Sequence, residues 1–352
     1  MPASETMWAA VLHAVGDLRW ERVAVPRPGP GEALVRVRAS GVCGSDVARV
    51  FVHGAYRFPL IPGHEFAGEV ATLRSDAQGV AAGARVAVQP LIPCEKCRWC
   101  AAGEHALCDD YDYLGSRRDG GWAEYAVASV ANLAPIPEGV SFEAVAMTEP
   151  AAVALHGLDR AGLRSGESIA IFGAGPVGLM LAQMARAQGA SPIVLVDVGE
   201  RKIAAARGLG FEHVIDASGA DPVAAIREIT GGGADVCVEG VGLPRTFRQA
   251  AAAARKLGRV LLLGNMRGEV TLAEPEFSDL LRRQLTLIGT WNSRIRPAGD
   301  NDWTRALAMM SDGRLRVEPL ITHRLAPERA VEALAMMRKG REFFNKVMMV
   351  FQ

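Results

Sequence analysis

The chain has 352 residues, a formal net charge of +0, 49% hydrophobic and 22% charged residues, which allows roughly two domains with substantial cores and gives no global field for nucleic acid or an anionic membrane. No stretch approaches the roughly 20 apolar residues of a membrane helix, and the opening MPASETMWAAVLHA lacks the basic-then-apolar pattern of a secretory leader. Six cysteines, four of them clustered, fit a metal site in a reducing cytoplasm better than a disulfide framework.

In chain order, ALVRVRASGVC, HEFAGEVATL and ARVAVQP carry β-branched residues in partial alternation between Gly and Pro clusters, predicting a partly closed β-barrel. After LDRAGLRSGE (Leu158 to Glu167) strands and helices alternate. The strand SIAIF leads into a helix after Gly178; PIVLVD, HVID, ADVCVEG and RVLLLG follow, separated by helices around 203–207, 223–229 and 247–255. Strict strand–helix succession predicts a parallel doubly wound sheet, which LTLIGTW (Leu285 to Trp291) closes as a further strand. Two amphipathic helices near WTRALAMM and RAVEALAMM and a strand KVMMVF end the chain; their Met pairs are expected to fill the core.

FGAGPVGLM holds G-x-G-x-x-G at Gly173, Gly175 and Gly178, directly after an apolar strand and opening an apolar helix that ends near Gly189, and Pro176 and Val177 within it join the expected cofactor-binding residues. In that context the glycines let a pyrophosphate approach the backbone at the positive end of the helix. Asp197 ends the following strand about 20 residues on, where a carboxylate accepts from ribose hydroxyls and repels a 2′-phosphate. NAD is favoured over NADP, although Arg201 and Lys202 stand near enough to hold a phosphate, and Lys202 joins the expected cofactor-binding residues.

CEKCRWCAAGEHALC spaces Cys94, Cys97, Cys100 and Cys108 as C-x2-C-x2-C-x7-C. Four thiolates fill zinc's tetrahedral shell and leave no position for substrate, so this lobe, about residues 90–112, is expected to be a structural clamp. His105 inside it is able to replace one thiolate, but the plainer expectation is a solvated loop residue. An open site has to be built elsewhere: GVCGSD supplies Cys43, GHEFAG supplies His64 and Glu65, and TEPAAVALHG supplies Glu149, the mixed donor types of catalytic zinc. Cys237 in ADVCVEG is expected to be a buried strand residue. Arg117 and Arg118 in GSRRDGG are candidates for gripping a phosphate, against the plainer expectation of a solvated loop or a subunit contact.

With GVCGSD, GHEFAG, the four-cysteine lobe, TEPAAVALHG and GAGPVG in order, the chain resembles the zinc-dependent medium-chain dehydrogenases over essentially its whole length. CGSDVARVF, PLIPC, YDYLGSRRDGGWAEY and VEPLITHR make it similar to their polyol branch, including enzymes of polyol phosphates such as galactitol 1-phosphate. The resemblance implies a GroES-like β-barrel catalytic domain (1–157 and 294–352), interrupted by a Rossmann NAD-binding domain (158–293), with the active site in the cleft between them. It implies two zinc ions per subunit. Cys43, His64 and a carboxylate, Glu65 or Glu149, hold the catalytic one; Cys94, Cys97, Cys100 and Cys108 hold the structural one. Ser45 falls where the family starts a proton relay, and Asp46 is placed either to hold a ligand or as a turn residue. Ala48 stands where sorbitol-type relatives carry histidine, and Asn345, Lys346, Val347 stand where relatives often read Gly-Lys-Val, so a cofactor contact of Lys346 is expected to differ.

The implied reaction is reversible oxidation of a secondary hydroxyl of a polyol or polyol phosphate to a ketose, with NAD as acceptor. The partner is thus a small molecule, with neither nucleic acid nor membrane involved. A homodimer or homotetramer is expected, paired through LTLIGTW. Alternatives are threonine-dehydrogenase-like oxidation of a 3-hydroxy amino acid and a non-catalytic NAD- and zinc-binding protein.

Overall fold

The longest strand of the protein, Glu32–Val42, buries Ala33, Leu34, Val35, Val37, Ala39 and Val42 while Arg36 stays exposed. Near-continuous burial of this kind belongs to a strand with neighbours on both edges and cover on its faces. In the computed structural model, which describes residues 4–74, 79–295 and 301–352, Glu65–Leu73 and Lys346–Val350 flank it, both antiparallel. They belong to a seven-stranded sheet in the order Ile321–Leu325, Lys346–Val350, Glu32–Val42, Glu65–Leu73, Arg85–Val88, Leu133–Pro135, with Tyr125–Ser129 also paired to Glu32–Val42. A hairpin of Thr6–Ala14 and Asp17–Ala24 adds Met7, Ala9, Val11 and Leu12 to the same core, which also takes in Met336, Met337 and Met349. The methionine pair of the last helix, Ala330–Lys339, therefore packs against the core as its spacing predicts.

These strands lie in one of the two units into which the chain divides: the described residues before Ala151, together with Arg294–Gly313 and Val317–Gln352. The other unit is Ala151–Ser293 with Arg314–Arg316. It contains a six-stranded parallel sheet in the order His213–Asp216, Ile193–Asp197, Ile169–Phe172, Ala234–Glu239, Ala254–Leu262, Thr286–Gly289. The first strand in sequence lies inside the sheet, and the winding reverses between it and Ala234–Glu239. Open parallel sheets bind ligands beyond the carboxyl ends of the strands at such a reversal. This is the doubly wound sheet expected from the sequence, joined to the GroES-like unit.

The helices of the second unit follow their local signals. Pro176 opens Pro176–Ala187, and Asp221 caps Pro222–Thr230 by accepting the Val223 N–H at 2.9 Å, with Gly231 in the left-handed conformation at its end. Glu274–Arg283 forms a further helix that was not predicted, although Phe277, Leu280 and Leu281 recur at helical spacing. None of its residues is buried, and Phe277 and Leu281 face outward. Among the described residues no helix is long and apolar enough to cross a membrane.

The tightest packing in this unit is at the turn after Ile169–Phe172. A Cβ on Gly178 would lie 1.9 Å from the Gly173 carbonyl oxygen, whereas one on Gly175 would meet nothing within 4 Å. Gly178→Ala is expected to cost about 1–3 kcal/mol of stability, read as a lower denaturant midpoint at unchanged slope. A midpoint equal to wild type contradicts the close packing of helix on strand.

Candidate active site

Sheet register assembles the first cluster. Met348 pairs with Gly41, and Gly41 with Glu65, so the start of Lys346–Val350, the end of Glu32–Val42 and the start of Glu65–Leu73 lie side by side. Cys43 follows the central strand, His64 precedes its neighbour, and Lys346 begins the other neighbour. Gly41 makes the arrangement possible: a Cβ there would lie 2.2 Å from Glu65 Oε2, so only a glycine lets the Glu65 side chain lie across the central strand. Ligand atoms of Cys43, His64 and Glu65 come within 4.8 Å of one another. The mixture of thiol, imidazole and carboxylate at that spacing fits a zinc ion with three protein ligands.

Each ligand has a partner behind it. Asp46, fully buried, accepts the Cys43 N–H at 3.0 Å and the Arg49 guanidinium at 2.5 Å, and its Oδ1 stands 3.4 Å from His64 Nδ1. A carboxylate behind a histidine leaves the other ring nitrogen for a metal and fixes the ring's orientation. Burial works against a charge on both side chains. It is outweighed in each: Asp46 is held below the usual carboxylate range by His64, Arg49 and the Cys43 N–H, and His64 is pushed well above the usual imidazole value by Asp46 and Cys43. Asp46 thus fills both expected roles: it caps the turn after Cys43 and stands behind His64, a candidate ligand.

Glu65 is matched by Lys346, whose Nζ donates to Oε1 at 2.8 Å and Oε2 at 2.6 Å, with both side chains at most 5% exposed. Burial disfavours the ammonium, but Glu65, Cys43 and Glu149 together hold it charged above the ordinary lysine range. Glu149, in the first turn of Thr148–Ala161, accepts from the Tyr113 hydroxyl at 3.1 Å and is outside the set of ligand atoms that converge within 4.8 Å. Burial pushes its carboxyl up; His64 opposes and Glu65 adds to the rise. Ser45 is exposed two residues beyond Cys43.

Tyr113 was not among the residues singled out from the sequence. Its ring lies 5.9 Å from that of His64, and YDYLG contained no signal separating it from Tyr111. Nor was the Lys346–Glu65 pair anticipated, although a lysine opening the otherwise apolar KVMMV is a visible oddity. Arg117 is stacked between Tyr56 and Tyr111, 4.6 and 4.4 Å from the ring centres, and donates to the Tyr111 carbonyl at 2.7 Å. Arg118 pairs with Asp112. Both guanidiniums have protein partners; Arg117 is half-buried, whereas Arg118 is exposed on its loop, as the plainer expectation has it.

The second cluster is the cysteine lobe. The sulfurs of Cys94, Cys97, Cys100 and Cys108 also lie within 4.8 Å of one another, on a turn, a short helix and a 3₁₀ turn that contribute little else to the core. Backbone N–H groups of Asp109 and Cys100 pull the Cys97 thiol down to about 6, while burial pushes Cys100 up to about 12. The donor set suits zinc with all four positions taken by thiolate. His105 is buried rather than solvated, because the turn His105–Leu107 folds inward; its Nε2 lies 3.7 Å from Glu95. Cys237 is fully buried in its strand, and burial raises its thiol pKa.

In the other unit, the Gly173–Gly178 turn sits at the reversal point of the sheet. The open space above Gly175 and the N-terminus of Pro176–Ala187, with Val177 and Gly178 in its first turn, form a cradle that fits a pyrophosphate. Asp197 ends the adjacent strand; its carboxylate accepts the Ala174 N–H at 2.7 Å and the Val198 N–H at 2.7 Å, and Lys202 Nζ lies 3.2 Å away. Lys202, expected at the cofactor, is paired with Asp197.

The sequence pattern of the alcohol dehydrogenase GroES-like domain matches residues 29–138, and that of the zinc-binding dehydrogenase matches 176–312. Galactitol 1-phosphate 5-dehydrogenase of Escherichia coli is 33% identical over 306 residues, covering 86% of this chain and 88% of that protein. A crystal structure of galactitol-1-phosphate dehydrogenase from Escherichia coli superposes with a TM-score of 0.91 at 31% identity, over 98% of this chain and 100% of the other. L-threonine 3-dehydrogenase of Pyrococcus horikoshii is 33% identical over 91% of both chains. A zinc-binding dehydrogenase of Sinorhizobium meliloti, solved bound to NADP, matches at a TM-score of 0.90 and 31% identity over 99% and 100%. Sequence, fold and donor sets agree: the chain belongs to the zinc-dependent medium-chain dehydrogenases and is an oxidoreductase of their alcohol and polyol dehydrogenase group.

Proposed function

We propose that this enzyme reversibly oxidises a secondary hydroxyl of a sugar alcohol or sugar-alcohol phosphate, of the galactitol 1-phosphate type, to the ketose, with NAD as acceptor. The observation that carries the reading is the convergence of Cys43, His64 and Glu65 in a chain whose relatives include a galactitol 1-phosphate 5-dehydrogenase. When bound, zinc supplies Lewis acidity that lowers the pKa of a substrate hydroxyl, and the nicotinamide takes up the hydride. The chain's own groups do the rest. Cys43, His64 and either Glu65 or Glu149 hold the ion, and Asp46 fixes the His64 ring. Ser45 Oγ, exposed beside the cluster, takes the hydroxyl proton and passes it to water. The substrate carbon thus loses one hydride and its oxygen one proton, leaving a carbonyl.

Asp197 supports NAD over NADP, because a 2′-phosphate would be brought against its carboxylate. Lys202 offsets part of that charge, and the Sinorhizobium meliloti relative binds NADP, so both cofactors belong in the test. The four thiols of the lobe are proposed to hold a second, structural zinc. All six cysteines are free, which supports a reducing compartment such as the cytoplasm. A second substrate reading, oxidation of a 3-hydroxy amino acid, is supported by the threonine dehydrogenase relative. The terminal strand Thr286–Gly289 supports a homodimer or homotetramer: it ends its sheet, and Leu287, Leu281, Phe277 and Trp291 on it and nearby in sequence are about half exposed or more.

Three outcomes are expected. Metal-replete protein offered polyols, their phosphates and threonine, with NAD and NADP in parallel, forms NADH fastest with a polyol or its phosphate, and His64→Ala reduces kcat by at least about 10³-fold with the fold intact. Preference for threonine moves the substrate to the second reading, and turnover undiminished in His64→Ala removes the metal set. Cys100→Ser lowers the zinc content from two ions per chain to one and lowers Tm; a stoichiometry still at two assigns the lobe no metal. Leu287→Lys yields a smaller species by light scattering, whereas an unchanged mass places the subunit seam elsewhere.

A further inference from the structure

Lys346 is a cation with few options. It is 4% exposed, and among the described residues the acceptor in reach apart from Glu65 is the Val42 carbonyl at 3.5 Å. If Glu65 turns away, the buried ammonium keeps the Val42 carbonyl and the more distant influence of Cys43 and Glu149 but loses its one directly paired carboxylate, a costly state. Yet Glu65 is also the carboxylate whose oxygen lies within 4.8 Å of the Cys43 and His64 ligand atoms. One side chain is therefore within reach of two cations, a metal ion and the ammonium, and both of its oxygens are already engaged by the ammonium. Glu149 differs: the donor facing it is the neutral Tyr113 hydroxyl at 3.1 Å, which yields more easily to a metal than a buried charge does.

We propose that Lys346 is a positioning residue that competes with the metal for Glu65, weakening metal binding at the Cys43–His64–Glu65 set and leaving a coordination position that Glu65 would otherwise close. Two effects act in the same direction. The ammonium withholds the carboxylate's electron pairs from the ion, and its own positive charge repels a divalent ion at short range in a medium that screens poorly. The inference rests on the reading of Cys43, His64 and Glu65 as a metal set, made above.

The test uses full-length protein whose cysteine lobe is first filled with zinc. Metal affinity at the second site is then measured by competition with a chromophoric chelator, and the visible spectrum of cobalt(II) is recorded there. Lys346→Met is expected to bind metal about tenfold more tightly than wild type, the size of effect outer partners have on metal ligands. The cobalt band should change as Glu65 becomes a permanent ligand. In the Glu65→Gln background the gain from Lys346→Met should vanish, since the two effects share one carboxylate. If Lys346→Met does not fold, Lys346→Gln, which keeps a neutral donor, takes its place with the same expectation. Affinity unchanged or weaker, or a gain that persists without Glu65, overturns the role of Lys346. Wild-type protein that takes up metal in the cysteine lobe alone overturns the metal set itself, and the inference with it.

Discussion

Three strands pair side by side, and the fixed register Met348–Gly41–Glu65 decides what the first unit can do. A strand's side chains alternate between faces, so a slip of one residue would send Glu65 and Lys346 to the wrong side together. The missing side chain at Gly41 is part of the same constraint, because it is the room in which the Glu65 carboxylate lies. Cys43 and His64 then need no long loops to meet; each is one residue beyond a strand end. The site is precise because it stands on the sheet, with a short helix, Gly44–Ala48, adding Asp46 from behind.

The charges around this cluster form matched sets of unequal strength. Asp46 is opposed by Arg49 and by His64, Glu65 by a buried ammonium, and Glu149 by a phenol hydroxyl. Removing one member of a buried pair leaves an uncompensated charge at a cost of about 3–5 kcal/mol, so Glu65 is held far more firmly than Glu149. The presence of two glutamates near one metal set then has a physical reading: the rigid one shapes the field, and the loosely held one is free to respond.

Much of this was legible in the sequence, and the reasons are specific. The glycine turn and the cysteine lobe announce themselves because their chemistry requires particular residues at short spacing, whereas Cys43, His64 and a carboxylate, Glu65 or Glu149, were legible as a set through the family resemblance. The strand–helix alternation of the second unit was equally plain. The partner of Lys346 was not legible because nothing local ties it to Glu65; the pair spans 281 positions. His105 was misread as solvated because the polarity of its loop says nothing about a turn that folds inward. The helix Glu274–Arg283 carries Phe277, Leu280 and Leu281 at helical spacing, so its signal is in the sequence; what the sequence does not show is that this apolar face lies outside the core. Arg117 looked available because its stacking on Tyr56 is a contact between distant parts of the chain.

The span between Lys346 and Glu65 also bears on how the molecule matures. Contacts between residues so distant along the chain incur their loop-closure cost before any stabilisation returns, and they form late. While the polypeptide is being synthesised, residues 41 to 65 emerge long before 346, so thiol, imidazole and carboxylate can gather without the ammonium. If Lys346 competes for Glu65 as proposed, an ion arriving at that stage would meet the three donors without their rival, and docking of the last strand would loosen its hold.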